Sequence, residues 1–148
     1  MNPALFSEDE VPRSPKTWKL PLREDLVLDV LRGTKTETRR TGQKWQGIRE
    51  GDQLTFCGHF AQVIAVRHEH LQDISDESCI AEGVVFADLG YHRCRQARNW
   101  KYPDFPTASL AFAALWDDLP IHEFQPGRRW DDNPEVTVIS FRLVKAGE

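Results

Sequence analysis

The order of predicted strands and helices is the feature that most constrains this chain. Alternating apolar and polar residues, and threonine at every second position, favour strands in the first third, the middle and the last part of the sequence. No strand–helix–strand unit repeats, which argues against a doubly wound parallel sheet and favours an α+β domain with a mixed, mainly antiparallel, barrel-like sheet. The predicted strands are 18–22, 34–40, 53–57, 60–71 and 135–144, and the predicted helices are 22–32, 75–82 and 107–119.

The length of 148 residues suits one hydrophobic core. We predict a flexible N-terminal tail over residues 1–16, a single domain over 17–148 and an inserted loop near 88–106, where no period is visible. The sequence contains no apolar run of membrane-spanning length and no signal-peptide pattern, so we expect a cytoplasmic protein without a membrane partner. The net charge of −4 disfavours tight, nonspecific binding to duplex nucleic acid.

Cysteine and histidine usage predicts neither a disulfide framework nor a cofactor. The three cysteines, Cys57, Cys79 and Cys94, are odd in number and widely spaced. His68 and His70 would share one face of a strand and could meet one metal ion, but the sequence has no CxxC pair and no HExxH helix. We therefore interpret the histidines as polar positions on an exposed strand face and predict no metal site.

Two predicted elements carry specific expectations about side-chain direction. The regular alternation of the 34–40 strand sorts its residues onto two faces, unless a bulge after Gly33 changes the direction of Lys35. In the 107–119 helix, which Thr107 would cap, the predicted buried stripe is Leu110, Ala111, Ala114 and Leu115. The two strand faces are Thr34, Thr36, Thr38 and Arg40 on one side, and Lys35, Glu37 and Arg39 on the other.

The predicted helix that begins after Ser75 ends with a carboxylate in an unfavourable place. Asp76 and Glu77 lie in its first turn, where the helix dipole favours negative charge. Glu82 lies in its last turn, just before Gly83, where the dipole disfavours negative charge. This position indicates a role for Glu82 other than stability, although an ordinary exposed helical acid is the simpler interpretation.

Residues 33–40, with the sequence GTKTETRR, resemble the signature of ASCH domains, a helix followed by G-x-K-x-x-[ET]-x-R. The EGDQL turn at 50–54 and the LQDIS segment at 71–75, followed by AEG at 81–83, are similar to later family features in the same order. The end of the chain resembles phage and prophage members. The resemblance covers about residues 18–145 and implies a PUA-like β-barrel with flanking helices and a role with RNA or a nucleobase.

One departure from the signature narrows the resemblance. Many ASCH domains carry glutamate where this chain has Thr38, which weakens any transfer of function from the ribonuclease-like members. A small branch that hydrolyses N4-acetylcytidine is similar in having lysine, then threonine three residues later, and a downstream glutamate. The resemblance implies that the catalytic residues of that amidohydrolase branch correspond to Lys35, Thr38 and Glu82.

The chemistry of amide hydrolysis sets requirements for these residues. A threonine hydroxyl is a poor nucleophile until a base removes its proton, and a lysine serves as that base only if its pKa is lowered by burial or a nearby cation. Arg39 or Arg40 would supply the cation, Arg40 could also stabilise an oxyanion, and Glu82 could orient the lysine or pass a proton to the leaving cytosine. The alternative is structural: Thr38 serves strand propensity and Lys35 lies on a solvated face.

A second hypothesis is an RNA-binding, possibly RNA-processing, ASCH module without amidohydrolase activity. Aromatic residues between the arginines of the 88–106 loop could stack on unpaired bases while the arginines neutralise phosphates. The expected partner is a nucleoside or single-stranded or structured RNA, and both monomer and homodimer remain open. A third possibility is a protein-interaction role for the long loops. The candidate substrate- or RNA-binding residues are Arg39, Arg40, Lys44, Trp45, Arg93, Arg95 and Trp100.

Overall fold

The computed structural model describes residues 13–87, 89–93 and 105–145. Within these ranges the chain forms seven strands and three α-helices, which confirms the predicted α+β class. None of these helices is long enough and apolar enough to span a membrane. The elements, in chain order, are β1 (Thr17–Lys19), α1 (Glu24–Leu31), β2 (Glu37–Arg40), β3 (Gln53–Phe56), β4 (His59–His70), α2 (Asp76–Ala81), β5 (Val85–Ala87), β6 (Gly90–His92), α3 (Ala108–Asp117) and β7 (Glu135–Val144).

A mixed five-stranded sheet organises the molecule, with the strand order β1-β3-β4-β7-β2. Strand β1 runs parallel to β3 at one edge, where Pro21 ends it, and the three remaining pairs are antiparallel. A tight turn joins β3 to β4 because Cys57 and Gly58 both adopt positive φ, at 47° and 78°. Strand β2 lies at the other edge, so in the described part of the chain no further strand of this sheet pairs with its outer side.

Two hydrophobic clusters cover the two faces of β7. Val136 and Val138 pack with α3 in one cluster, whereas Ile139 and Phe141 pack with the β3–β4 hairpin in the other. Helix α1 contributes to both clusters, with Leu26 in the first and neighbouring residues in the second. The edge strand β2, which pairs with the middle of β7, therefore lies where the two clusters meet.

Several local predictions need correction. In α3 the buried residues are Ala108, Ala111, Phe112, Leu115 and Trp116, and Leu110 is 49% exposed, because the helix turns its aromatic side towards the sheet. The start of the predicted 88–106 loop belongs to a small β5–β6 hairpin, which Phe105 joins through an isolated bridge to Tyr91. The rest of that loop, residue 88 and residues 94–104, and the first 12 residues of the predicted tail lie outside the described residues.

Residues 13–16, the end of the predicted tail, are attached to the sheet. Arg13 forms a two-pronged ion pair with Asp52, with both nitrogen–oxygen distances at 2.8 Å. The backbone of Lys16 donates to the same carboxylate at 2.9 Å and accepts a hydrogen bond from the amide of Gln53 at 2.8 Å. These contacts guide the chain into β1.

Candidate active site

Lys35 lies between two helices, just before β2 begins. Gly33 ends α1 with a φ of 80°, and the amide of Lys35 then donates to the carbonyl oxygen of Asp29 at 3.1 Å. The next amide, of Thr36, donates to the carbonyl oxygen of Ala81 at 2.8 Å, at the end of α2. These backbone contacts fix Lys35 beside the C-terminal end of α2.

Glu82 follows α2 as its C-cap residue and faces Lys35. Lys35 Nζ donates to Glu82 Oε1 at 2.7 Å, to the carbonyl oxygen of Glu82 at 3.2 Å and to that of Glu37 at 2.8 Å. The exposed fractions of Lys35 and Glu82 are 2% and 4%, so this ion pair is almost fully removed from bulk water. The carboxylate that opposes the helix dipole is thus neutralised by a buried ammonium group.

The pKa of Lys35 is lowered. Burial is the main cause, because it penalises the charged ammonium; Glu82 opposes the shift, and Arg40 and Arg39 add to it. The direction is the one that a lysine needs to serve as a general base.

Arg39 anchors Glu82 from the other side of its carboxylate. Arg39 Nη1 contacts Glu82 Oε2 at 3.2 Å and also Glu37 Oε1, while Nη2 contacts Glu69 Oε1 at 2.8 Å. Burial alone would lower the pKa of Arg39, but the carboxylates of Glu82 and Glu37 raise it. Both terminal nitrogens of this predicted substrate-binding residue are therefore engaged by carboxylates, and its contacts hold Glu82 in place.

Thr38 and Arg40 point from the opposite face of β2. Thr38 Oγ1 accepts a hydrogen bond from Arg40 Nε at 3.3 Å, and Arg40 Nη2 donates to the carbonyl oxygen of Pro21 at 2.8 Å. Burial lowers the pKa of Arg40 to about 10, with Glu82 opposing the shift. The threonine oxygen thus has a cation as its hydrogen-bond donor, and that contact stabilises negative charge on the oxygen.

A cleft of about 750 Å³ runs along the open edge of β2, and side chains from both faces of this strand line it. Lys35, Thr38 and Glu82 all line it, so the structure brings together the three residues that the resemblance implies. Because β2 is an edge strand, side chains from both of its faces can reach the same cleft. The opposite wall is apolar and comes mainly from α3, from α1 and from the segment just before α1, through Leu22, Leu26, Phe112, Leu115 and Trp116.

Of the other candidate binding residues, some line the cleft and others do not. Lys44 and Trp45 line the cleft, with Lys44 Nζ 5.0 Å from the centre of the Trp45 ring. Arg93 does not line it and forms an ion pair with Asp118 at 3.1 Å. Arg95 and Trp100 lie outside the described residues.

Arg128 is a cleft residue that the sequence analysis missed. It comes from the loop after α3, and its Nη1 donates to Thr41 Oγ1 at 3.0 Å and to Gln125 Oε1. The residue lies in an aperiodic segment rich in arginine, and nothing in that segment predicts contact with the turn after β2. Within the described part of the chain, no group of three or more histidine, cysteine, aspartate or glutamate residues is placed to hold a metal ion.

Comparison with known proteins gives structural neighbours only. No family model and no curated protein matches the sequence. The crystal structure of hypothetical protein PH0355 superimposes with a TM-score of 0.55 and 14% identity, covering 86% of this chain and 99% of that one. An ASCH domain from Lactobacillus crispatus JV V101 superimposes with a TM-score of 0.51 and 10% identity, covering 87% of this chain and 79% of that one. These matches confirm the predicted ASCH-like fold.

Proposed function

We propose that this protein is an amidohydrolase that removes the acyl group from N4-acylated cytidine or cytosine, using Lys35, Thr38 and Glu82. The observation that carries the proposal is the buried Lys35–Glu82 pair, with 2.7 Å between Nζ and Oε1, in a cleft that Thr38 also lines. The cleft volume of about 750 Å³ falls within the range of small-molecule sites. Its apolar wall suits a flat base or an acyl chain.

In the proposed reaction Thr38 is the nucleophile. Its Oγ1 attacks the acyl carbon while Lys35, in its neutral form, takes the hydroxyl proton. Arg40 Nε, which donates to the same oxygen at 3.3 Å, makes the hydroxyl proton easier to remove. The carbon–nitrogen bond then breaks, and the proton passes to N4 of the leaving cytosine.

Glu82 supports the proton transfers. Its Oε1 is hydrogen bonded to Lys35 Nζ, so a proton taken by the lysine can return through the carboxyl group. Water then attacks the acyl ester on Thr38, which releases a carboxylic acid and restores the hydroxyl group. Each step uses only water as co-reactant and leaves the residues as they began.

The test is to incubate the purified protein with N4-acetylcytidine and to follow the ultraviolet change as cytidine forms. We expect turnover that falls at least about a thousandfold in Lys35→Ala and Thr38→Ala, because each removes an essential group. Thr36→Ala is the matched control, since Thr36 is an exposed threonine two residues from Thr38 and outside the cleft. Full turnover in Lys35→Ala or Thr38→Ala would refute the assignment.

RNA binding without chemistry is the second candidate. It is favoured by Lys44 and Trp45, which place a cation and an aromatic ring together on the cleft wall. Under this alternative the affinity for single-stranded RNA falls steeply with salt, because phosphate contacts release counterions. An affinity that salt leaves unchanged favours the nucleoside ligand instead.

A further inference from the structure

The cleft is cationic although the chain as a whole is acidic. The net charge of the protein is −4, yet Glu82 is the only carboxylate among the described residues that line the cleft. A surface of this kind attracts an anionic ligand more strongly than a neutral nucleoside. The cationic residues that line the cleft are Arg23, Lys35, Arg39, Arg40, Lys44 and Arg128.

Three of these six cations are already neutralised. Lys35 and Arg39 share the carboxylate of Glu82, and Arg23 forms ion pairs with Asp25 at 2.7 Å and Asp118 at 3.2 Å. The others, Arg40, Lys44 and Arg128, form no ion pair with a carboxylate anywhere in the described ranges. Glu82 raises the pKa of Arg40 without contacting it, so the least compensated positive charges of the cleft are those of Lys44 and Arg128.

The three cations without an ion pair surround one short turn after β2. Arg40 Cζ and Lys44 Nζ lie 5.9 and 5.0 Å from the centre of the same Trp45 ring. Arg128 Nη1 donates to Thr41 Oγ1 at 3.0 Å, and a Cβ at Gly42 would lie 3.5 Å from that nitrogen. Like charges gathered with no carboxylate in contact with them repel each other, and a bound anion would remove that repulsion.

Within this group the roles differ by position. Arg40 Nε is already bonded to Thr38 Oγ1, so it belongs to the reacting end of the cleft. Lys44 is exposed and follows Thr41 on the turn, and Arg128 is half-buried and reaches Thr41 on the same turn from the loop after α3. These two can therefore meet a charged group that is attached to the ligand away from its reacting amide.

We propose that Lys44 and Arg128 form a phosphate subsite, so that the ligand is a phosphorylated nucleoside. The substrate class rests on the proposed amidohydrolase function: an N4-acylated cytidine that carries a phosphate on its sugar, either as a mononucleotide or within an RNA strand. A phosphate monoester carries a charge of about −1.5 to −2 near pH 7 and offers oxygens that can accept two parallel N–H hydrogen bonds from a guanidinium group. The nucleobase would enter the apolar part of the cleft.

The first test measures binding of the reaction product and does not depend on turnover. Titration calorimetry would compare 5′-cytidine monophosphate with cytidine, using the full chain. We expect the wild type to bind the monophosphate on the order of tenfold more tightly, and the double variant Lys44→Gln, Arg128→Gln to lose most of that preference. Lys19→Gln, which removes one exposed positive charge from β1, should keep it. Equal affinity for both ligands in the wild type, or a preference that survives the double variant, would overturn the subsite.

Two further measurements distinguish a mononucleotide ligand from an RNA strand, and the subsite from the amidohydrolase activity. A short cytidine-containing RNA without a terminal phosphate, if bound more tightly than the monophosphate through the same two residues, would assign the subsite to an RNA strand. A phosphate preference in a protein that does not hydrolyse N4-acetylcytidine would support the subsite and reject the amidohydrolase. Turnover of N4-acetylcytidine without any phosphate preference, in binding or in kcat/KM for the phosphorylated substrate, would support the amidohydrolase and reject the subsite.

Discussion

At the scale of single residues, the ion pair between Lys35 and Glu82 combines two opposite requirements. Glu82 stabilises the ammonium form of Lys35 by accepting its hydrogen bond at 2.7 Å, whereas burial destabilises that form. The pKa of Lys35 is lowered because burial prevails. Under the proposed mechanism, the neutral amine is the active form, so this balance decides the pH at which the enzyme works.

The first prediction follows from that balance. The value of kcat/KM for N4-acetylcytidine should rise with pH along a limb whose apparent pKa lies below the usual lysine value of about 10.4. Glu82→Gln removes the anion that raises the pKa of Lys35, so the limb should move to lower pH even though kcat falls. The measurement is the pH profile of both proteins.

Glu77→Gln is the matched control for this profile, because Glu77 is an exposed glutamate in the first turn of the same helix. Its profile should coincide with that of the wild type. A limb that moves to higher pH in Glu82→Gln, or that stays in place, would contradict the role given to Lys35.

The second prediction concerns Arg39, whose side chain is fully buried and contacts Glu37, Glu69 and Glu82. Arg39→Met should lower the free energy of unfolding by about 3 kcal/mol or more, because it leaves buried carboxylates without their shared cation. Arg67→Met removes a 47% exposed arginine that contacts two of the same carboxylates and should cost less than about 1 kcal/mol. Urea denaturation measures both, and equal losses would refute the view that burial makes Arg39 the essential partner.

The local motif in the sequence indicated which side chains are candidates for the site, but not which contacts fix their positions. Lys35 and Thr38 come from one short segment, so a resemblance to a local signature can point to both. The partners of Arg39 come from separate elements: Glu69 from β4 and Glu82 from the end of α2. Their meeting depends on strand pairing and helix packing over long sequence distances, which no local pattern encodes.

At the scale of elements, α2 is short for a helix that positions a candidate site residue at its end. It has six residues, too few to be stable alone, so its caps and its packing against α3 must hold it. Ser75 Oγ accepts a hydrogen bond from the amide of Ser78 at 3.1 Å at the start of the helix. The position of Glu82 therefore depends in part on a serine at the opposite end of the helix.

The third prediction tests that dependence. Ser75→Ala should lower the free energy of unfolding by about 1 kcal/mol and speed amide hydrogen exchange at Glu82, because the cap is lost and the short helix frays. Thr107→Ala removes the equivalent cap of α3, a 3.1 Å bond to the amide of Leu110, at a similar cost in stability. Exchange at Glu82 should not respond locally to Thr107→Ala. Equal exchange in the two variants would show that α2 does not depend on its own cap.

Most elements were predictable because their signals are local. Strand β7 has the predicted bounds, since two-residue alternation is strong over Glu135–Val144, and the caps at Ser75 and Thr107 are where the sequence placed them. The parallel pairing of β1 with β3 was not predicted, because it joins distant segments through backbone hydrogen bonds. Leu110 was misassigned because an almost wholly apolar helix gives little information about which side is buried.

At the scale of the whole molecule, the cleft exists because the sheet ends at β2. A central strand would have a neighbour on both sides, whereas the outer side of β2 faces α1, α3 and the loop that carries Arg128. The apolar wall therefore combines Leu22 and Leu26, which come shortly before β2 in the sequence, with residues of α3 much later in the chain. This arrangement explains why a local motif could point to Lys35 and Thr38 as candidates but gave no indication of the wall or of Arg128.

A second buried charge cluster, at the other edge of the sheet, ties the N-terminal segment to the fold. Burial alone would raise the pKa of Asp52, but the guanidinium of Arg13, the amide of Lys16, the indole of Trp18 and the amide of Arg49 hold that pKa well below its usual range. Asp52 is only 1% exposed, so these hydrogen bonds largely replace water around the carboxylate. A carboxyl group with a lowered pKa in the folded state stabilises that state when it is ionised.

The fourth prediction is the pH dependence of that contribution. Above the pKa of an unfolded aspartate, about 3.9, Asp52→Asn should lower the free energy of unfolding by about 2 kcal/mol, because charged hydrogen bonds are lost. As the pH falls below that value, the unfolded wild type takes up a proton at Asp52 that the folded protein resists, so the wild type loses its advantage. Urea denaturation from pH 7 to pH 3 should therefore show two stability curves that run parallel above about pH 5 and converge below pH 4.

Asp73→Asn, at an exposed aspartate, should follow the wild type throughout. A gap that stayed constant down to pH 3 would mean that the ionised Asp52 carboxylate is not what ties the N-terminal segment to the sheet.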